Sequence, residues 1–303
     1  MDATRLGAVR RVLWGTMLLN VVVAASKIAY GHYTNTLSIR ADGFHSLTDA
    51  TNNLVGLAGV YIASRPADAN HPYGHHKFEI LASGLVGLSL LGMAYDVLRS
   101  AVERFVSPAP VLPKLDALAY IVLAVTLGIN VWVAGYERRQ GERLDSAFLL
   151  SDAVHTRSDV LVTIGVLITV ALVELGYPKL DVFTAFGIAG FIAWAGIGVL
   201  RSNLSYLSDT AMMDATVVEA VVTKVPGVAS AHKIRTRGAP GAIHVDLHIQ
   251  IAPHLNVVQA HRVTHWVIEA IKREIGGVTD VLVHTEPAAP DQPYNPLPDE
   301  PYS

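Results

Sequence analysis

The stretch ADGFHSLTD, Ala41 to Asp49, decides how this chain is read. It lies inside a long apolar run, where polar groups are costly. Asp42, His45 and Asp49 are spaced three and four apart, which stacks them on one face of a helix. The pattern returns in SDAVHTRSD, Ser151 to Asp159, where Asp152, His155 and Asp159 carry the same spacing within another hydrophobic run. Two helices with matched imidazole and carboxylate faces can converge on one divalent cation. His45, Asp49, His155 and Asp159 then offer a set of nitrogens and oxygens suited to tetrahedral zinc. Asp42 and Asp152, one turn away on the same faces, either support these ligands and line a pathway or serve packing and capping.

Working outward, the chain has 303 residues, 51% hydrophobic and 16% charged, with a mean hydropathy of +0.37. A soluble domain carries about 25% charged residues, so this is the composition of a membrane protein. A net charge of -3 with no basic block gives no footprint for nucleic acid. There is no cysteine, which excludes disulfides and thiolate metal sites. Any metal must be held by His, Asp, Glu, backbone or water.

Six stretches are long and apolar enough for spans of about 20 residues: 12–31, 36–63, 79–104, 115–136, 146–175 and 181–203. The first lacks a small-residue cleavage site and reads as a retained span. Arg5, Arg10, Arg11, Arg65, Lys77, Arg138, Arg139, Arg143 and Arg201 fall on one side, against Arg104, Lys114 and Lys179 on the other. The first side is expected to be cytoplasmic, with both termini there. Spans two and five hold the carboxylates, histidines, Arg40 and Arg157. Each ionisable group at a span centre costs at least about 2.5–3.5 kcal/mol. These two spans are therefore expected to pack against each other, wrapped by the rest. Gly56, Gly59, Gly84 and Gly87 would permit close helix contact.

Between spans two and three runs RPADANHPYGHHKFE, from Arg65, a polar loop shaped by Pro66, Pro72 and Gly74 that gathers Asp68, His71 and His75. After about 207 the composition changes. Helix 214–225, strands 231–237 and 243–252, helix 256–275 and strand 278–285 suggest a small α+β domain, αββαβ and ferredoxin-like, over 208–286. The tail 287–303 is Pro-rich and reads as disordered.

With its HxxxD pairs, its HPYGHHKFE loop, six spans and an αββαβ domain, the chain resembles the cation diffusion facilitators, proton-coupled exporters of divalent metals. The resemblance covers nearly everything up to Glu286. It implies a homodimer, related to zinc and iron exporters; the lack of targeting features and the short loops point separately to a bacterial plasma membrane. It implies His45, Asp49, His155 and Asp159 as the transport site, and Asp68, His71 and His75 as a loop site. A third site in the cytoplasmic domain draws on His232, His248, His261, His284 and Glu286, where some relatives carry aspartate at the last position. Lys77 matches a lysine that meets an aspartate after span six, here Asp209. His265, one turn beyond His261, is left open, and His244 reads as solvent-facing.

Two imidazoles and two carboxylates favour zinc, with cadmium, cobalt and iron next. No GxxxxGK[ST] loop is present, so the expected energy source is a proton gradient and not a nucleotide. The alternatives are an iron- or manganese-preferring exporter, a membrane metalloenzyme and a metal sensor. Four protein ligands leave no open position for hydrolysis, and there is no HExxH.

Overall fold

The structure, a computed structural model, describes residues 2–33, 37–106, 117–174, 178–289, 292–294 and 297. Within these, the side chains of 37–45, 48 and 49, Asp42, His45 and Asp49 among them, lie outside the description. The chain divides into two compact units, Met1–Leu204 and Ser205–Ser303.

The first unit is a bundle of long helices: α1 (Asp2–Tyr33), α2 (Leu37–Ala63), α3 (Lys77–Val106), α4 (Ala117–Leu144), α5 (Ala147–Glu174) and α6 (Pro178–Leu207). Four of them, α1, α3, α4 and α6, are apolar and long enough to cross a membrane. The other two, α2 and α5, are those that carry the ionisable residues. Several helices outrun their apolar stretches. Helix α1 begins ten residues before the expected start at 12, and α4 runs past 136 to Leu144. Arg and Glu are good helix formers, and the Arg138–Glu142 pair at 2.9 Å supports that last stretch at i,i+4 spacing.

Helix α1 packs along α2, α4 along α5, and α3 against both α2 and α5. The direct α2–α5 contact is short, so the expected pairing of these two helices is confined to one stretch. Gly56 makes that contact possible: a Cβ there would overlap the ring of Phe148 on α5. Gly59 does the same for α2 against Ala82 of α3, and Gly87 for α3 against Leu200 of α6, whereas Gly84 faces open space. Leu6, Leu13, Val60 and Phe148 form one apolar core, and Leu90, Met93 and Ile192 a second.

The second unit follows the order α7 (Ala215–Val222), β1 (Val228–Ala239), β2 (Ala242–Ile251), α8 (Val257–Glu274) and β3 (Val278–Pro287). Strands β1 and β2 are antiparallel. Strands β2 and β3 are parallel, joined by α8 as the crossover. Asp214 caps α7, and Asn256 with Gln259 forms a capping box on α8. Val245, Leu247 and Ile249 of β2 face a core with Val263, Val267 and Ile271 of α8. The alternate residues of β2, His244, Asp246, His248 and Gln250, take the opposite face.

Residues 287–289, 292–294 and 297 of the Pro-rich tail are described. Ala288 is buried, and its N–H donates to Ile251 O at 2.8 Å. Tyr294 approaches the His254 ring at a tilt, with centroids 5.9 Å apart, and Leu297 packs on the domain core beside Gly227. Apolar side chains between the prolines give the tail something to bury, which composition alone does not reveal.

Candidate metal sites

The start of α5 is fixed before any ligand appears. Asp145 adopts a left-handed φ of +49°, and Ser146 Oγ accepts from Leu149 N–H at 3.3 Å as a helix cap. Ser146 also donates to Glu79 Oε1 of α3 at 2.5 Å. Glu79 Oε2 pairs with the Arg5 guanidinium of α1 at 3.3 Å. Arg5 in turn donates to the carbonyls of Leu144 and Asp145 at 2.7 and 2.5 Å. One turn further along, Ser151 and Ser83 share a hydrogen bond of 2.6 Å, and Asn203 of α6 donates to Ser83 at 2.9 Å. Polar clamps thus hold α5 to its neighbours on both sides of its first turn.

Beyond the clamps, α5 brings Asp152, His155, Thr156 and Asp159 to a small cleft shared with Asn20 and Val23 of α1, Ser46 of α2 and Asn130 of α4. His155 is buried, and its Nε2 stands 3.8 Å from Asp159 Oδ2. The Asn52 amide nitrogen of α2 lies 3.1 Å from the same Nε2. An amide nitrogen only donates, so Nε2 accepts, and a cation entering the cleft would take over the lone pair that Asn52 engages. A neutral imidazole nitrogen beside a carboxylate is what a divalent cation requires. Lys27 of α1, itself buried, donates to Ser46 at 3.0 Å. The cleft therefore unites the α5 half of the intramembrane set with residues of α2. His45 and Asp49 belong to α2, their side chains outside the described residues.

Sequence reasoning missed Asn52, Lys27 and Glu137. Asn52 follows Asp49 by three residues and so continues the same helical face, a signal that could have been read.

The loop set comes together as the sequence suggested. Asp68 Oδ1 accepts the backbone N–H of Asn70 at 2.9 Å and of His71 at 2.7 Å. The His71 backbone bond, foremost, holds the Asp68 carboxyl below the usual carboxylate range. His71 Nδ1 lies 3.3 Å from Oδ1, and His75 Nε2 lies 3.5 Å from Oδ2. His75 Nδ1 donates to Pro66 O at 3.2 Å, which leaves Nε2 as the free lone pair facing Asp68. Gly74 turns the chain with φ +85° to bring His75 back. One ligand atom from each residue lies within 4.8 Å of the others.

In the second unit, strand register builds a row. His232 pairs with His248 across β1–β2, and His248 with His284 across β2–β3. Glu286 follows two residues later on the same face. Its Oε1 is 2.7 Å from His248 Nδ1, and its Oε2 is 3.1 Å from His232 Nε2. His284 Nε2 stands 3.9 Å from Oε1. The hydrogen bond with His248, first, holds the Glu286 carboxyl below the usual range. A glutamate thus fills the last position, its extra methylene reaching back between two histidines. His261 stands apart on α8, its ring against His265 with centroids 4.5 Å apart. His244 lies beside Asp280, 3.8 Å away, and is only partly exposed. Lys77 opens α3 in the first unit, and Asp209 follows α6 with φ +57° in the second.

Glu286→Gln is expected to weaken zinc binding at this cluster by at least about 100-fold, more than the loss of a group behind a ligand, as calorimetric titration would show. The sign for stability follows from its lowered pKa. Glu286 stabilises the folded chain above the ordinary carboxylate range, and that contribution is lost as pH falls through its depressed folded value. Acid unfolding of the variant should lack that component.

Residues 13–208 match the family described as the cation efflux transmembrane domain, and residues 213–288 match the cation efflux protein cytoplasmic domain. The chain belongs to the cation efflux family. This is the family of the cation diffusion facilitators, and the expected fold, a helical membrane domain followed by an α+β domain, agrees with it. The cation-efflux pump FieF of Escherichia fergusonii is 31% identical over 265 residues, 87% of each chain. FieF of Shigella boydii is 30% identical over the same length. An uncharacterised transporter of Methanocaldococcus jannaschii is 30% identical over 244 residues, 80% of this chain and 86% of that one. As a cation efflux protein, the chain is an integral membrane transporter with metal ions as its cargo.

Proposed function

We propose that this cation efflux protein exports divalent transition metals, zinc foremost, from the cytoplasm in exchange for protons. Cadmium, cobalt and iron are the secondary cargoes. The observation that carries this reading is the α5 cleft, where a buried His155 lone pair and the Asp159 carboxylate meet α2 residues inside the membrane unit. His45 and Asp49 complete the ligand set from α2. The nitrogen and oxygen donors suit zinc better than the all-oxygen sets preferred by magnesium or calcium.

Exchange follows from the chemistry of the ligands. An imidazole holds either a metal or a proton on one nitrogen, never both. The cleft takes metal when open to the cytoplasm, the helices reorient, and protons on the far side displace it. The loop trio Asp68, His71 and His75 and the sheet row with Glu286 bind the same ions. The row with His261 bridges two copies of the chain in a homodimer. Both termini face the cytoplasm of a bacterial plasma membrane.

The test is zinc flux into vesicles under an imposed pH gradient. Flux is expected to rise with acid on the receiving side and to fall when the gradient is collapsed. Flux indifferent to the gradient would rule out proton exchange.

A further inference from the structure

Arg10 of α1 and Arg65, just past the end of α2, lie over one aromatic ring. Their guanidinium carbons stand 5.6 and 5.5 Å from the centroid of Tyr61. Arg65 follows Tyr61 by four residues. Its backbone N–H donates to Ile62 O at 3.0 Å, which carries the chain round the last turn of α2. Two cations from two helices thus meet at one level of the bundle.

Among the described residues, neither guanidinium has a carboxylate partner or a hydrogen bond. Arg5, Arg99 and Arg138 differ in this, since each meets a glutamate. A ring face attracts the charge of a guanidinium but cannot take up its five N–H donors. The two charges are no farther apart than twice their distance to the ring, about 11 Å, comparable with the screening length in salt. An anion with several acceptor oxygens would neutralise both and occupy their donors, and phosphate is the group that guanidinium geometry fits.

The surface beyond the two cations is apolar. Trp14, 54% exposed, follows Arg10 by one turn of α1, and the exposed Leu18 and Val22 continue that line. Leu54, also exposed, precedes Tyr61 by two turns of α2. Exposed Trp and Tyr mark the depth at which a span leaves the hydrocarbon. Cations, then rings, then aliphatic side chains match the order of phosphate, glycerol and acyl chain in a phospholipid.

We infer that Arg10, Tyr61 and Arg65 form a site for the phosphate of an anionic phospholipid, with its acyl chains along α1 and α2. The lipid neutralises both arginines and fastens α1 to the end of α2. The site depends on the membrane setting of the family and not on the choice of metal.

Native mass spectrometry of the full-length protein, titrated with phosphatidylglycerol or phosphatidylcholine, reads the affinity for the first lipid bound. Wild type is expected to prefer phosphatidylglycerol. Replacing both arginines, Arg10→Gln with Arg65→Gln, should lower that affinity by about 30-fold, from about fivefold for each charge, and abolish the preference. Arg11→Gln with Arg143→Gln removes two exposed arginines that do not lie over the ring, and should leave the affinity unchanged. Tyr61→Leu keeps every charge and should cost about threefold. Equal losses in the two double variants would mean diffuse surface charge and overturn the inference, as would equal binding of the two lipids by wild type. Excess glycerol 3-phosphate should not displace the lipid; displacement at equal concentration would assign the site to a soluble phosphate instead. Should the Arg10, Arg65 variant fail to fold, Arg65→Gln against Arg11→Gln gives the same comparison, with a loss of about fivefold expected in the first alone.

Discussion

His155→Ala is expected to reduce zinc flux by at least about 100-fold, because loss of a direct ligand exceeds the 10- to 100-fold effect of removing a group behind one. The residue is buried, its Nε2 accepts from Asn52 in the absence of a cation, and Asp159 lies one turn away. The polar clamps at the start of α5 do not include His155, so the variant should insert and fold normally. Flux in proteoliposomes, compared with equal amounts of folded protein, measures the effect. Asn52→Ala should lose less, since it orients the ring without replacing its lone pair. A His155→Ala protein exporting zinc within about twofold of wild type would contradict the assignment.

The second large effect is structural. Arg5→Ala should destabilise the membrane unit by about 3 kcal/mol. Arg5 and Glu79 side chains are 15% and 6% exposed, so removing the arginine strands a buried carboxylate that, among the described residues, keeps Ser146 as its side-chain donor. It also leaves the carbonyls of Leu144 and Asp145 without their donor. Those carbonyls close the turn that aims α5. Unfolding in detergent would show the loss. The Arg5→Ala, Glu79→Gln double variant should lose less than the sum of the single variants, because the stranded charge is gone. Simple additivity would mean that the pair contributes nothing as a unit.

Helical spacing made much of this legible. A period of three and four residues places Asp152, His155 and Asp159 on one face, and the α5 cleft gathers that face. The loop trio was legible because its residues are neighbours in sequence. The sheet row was only partly so. Alternation along β2 shows which face His248 takes, but strand register decides that His232 and His284 flank it. Glu137 was hidden by its setting. It ends an apolar run and precedes Arg138 and Arg139, which reads as an interfacial charge cluster. Only the turn of α4 sends it inward while Arg138 goes outward. Lys27 was likewise masked by the long apolar run around it. Helices α1 and α4 outrun the lipid-compatible stretches because charged helix formers extend them.

The central claim is that matched faces of α2 and α5 carry the exported metal. The most direct measurement is transport in proteoliposomes of wild type against Asp49→Ala, with zinc, manganese, iron and cobalt offered separately. The account predicts zinc flux in wild type, above that of manganese, and its loss in the variant. Equal zinc flux in the two proteins would contradict it and leave the paired histidines and carboxylates a structural role only.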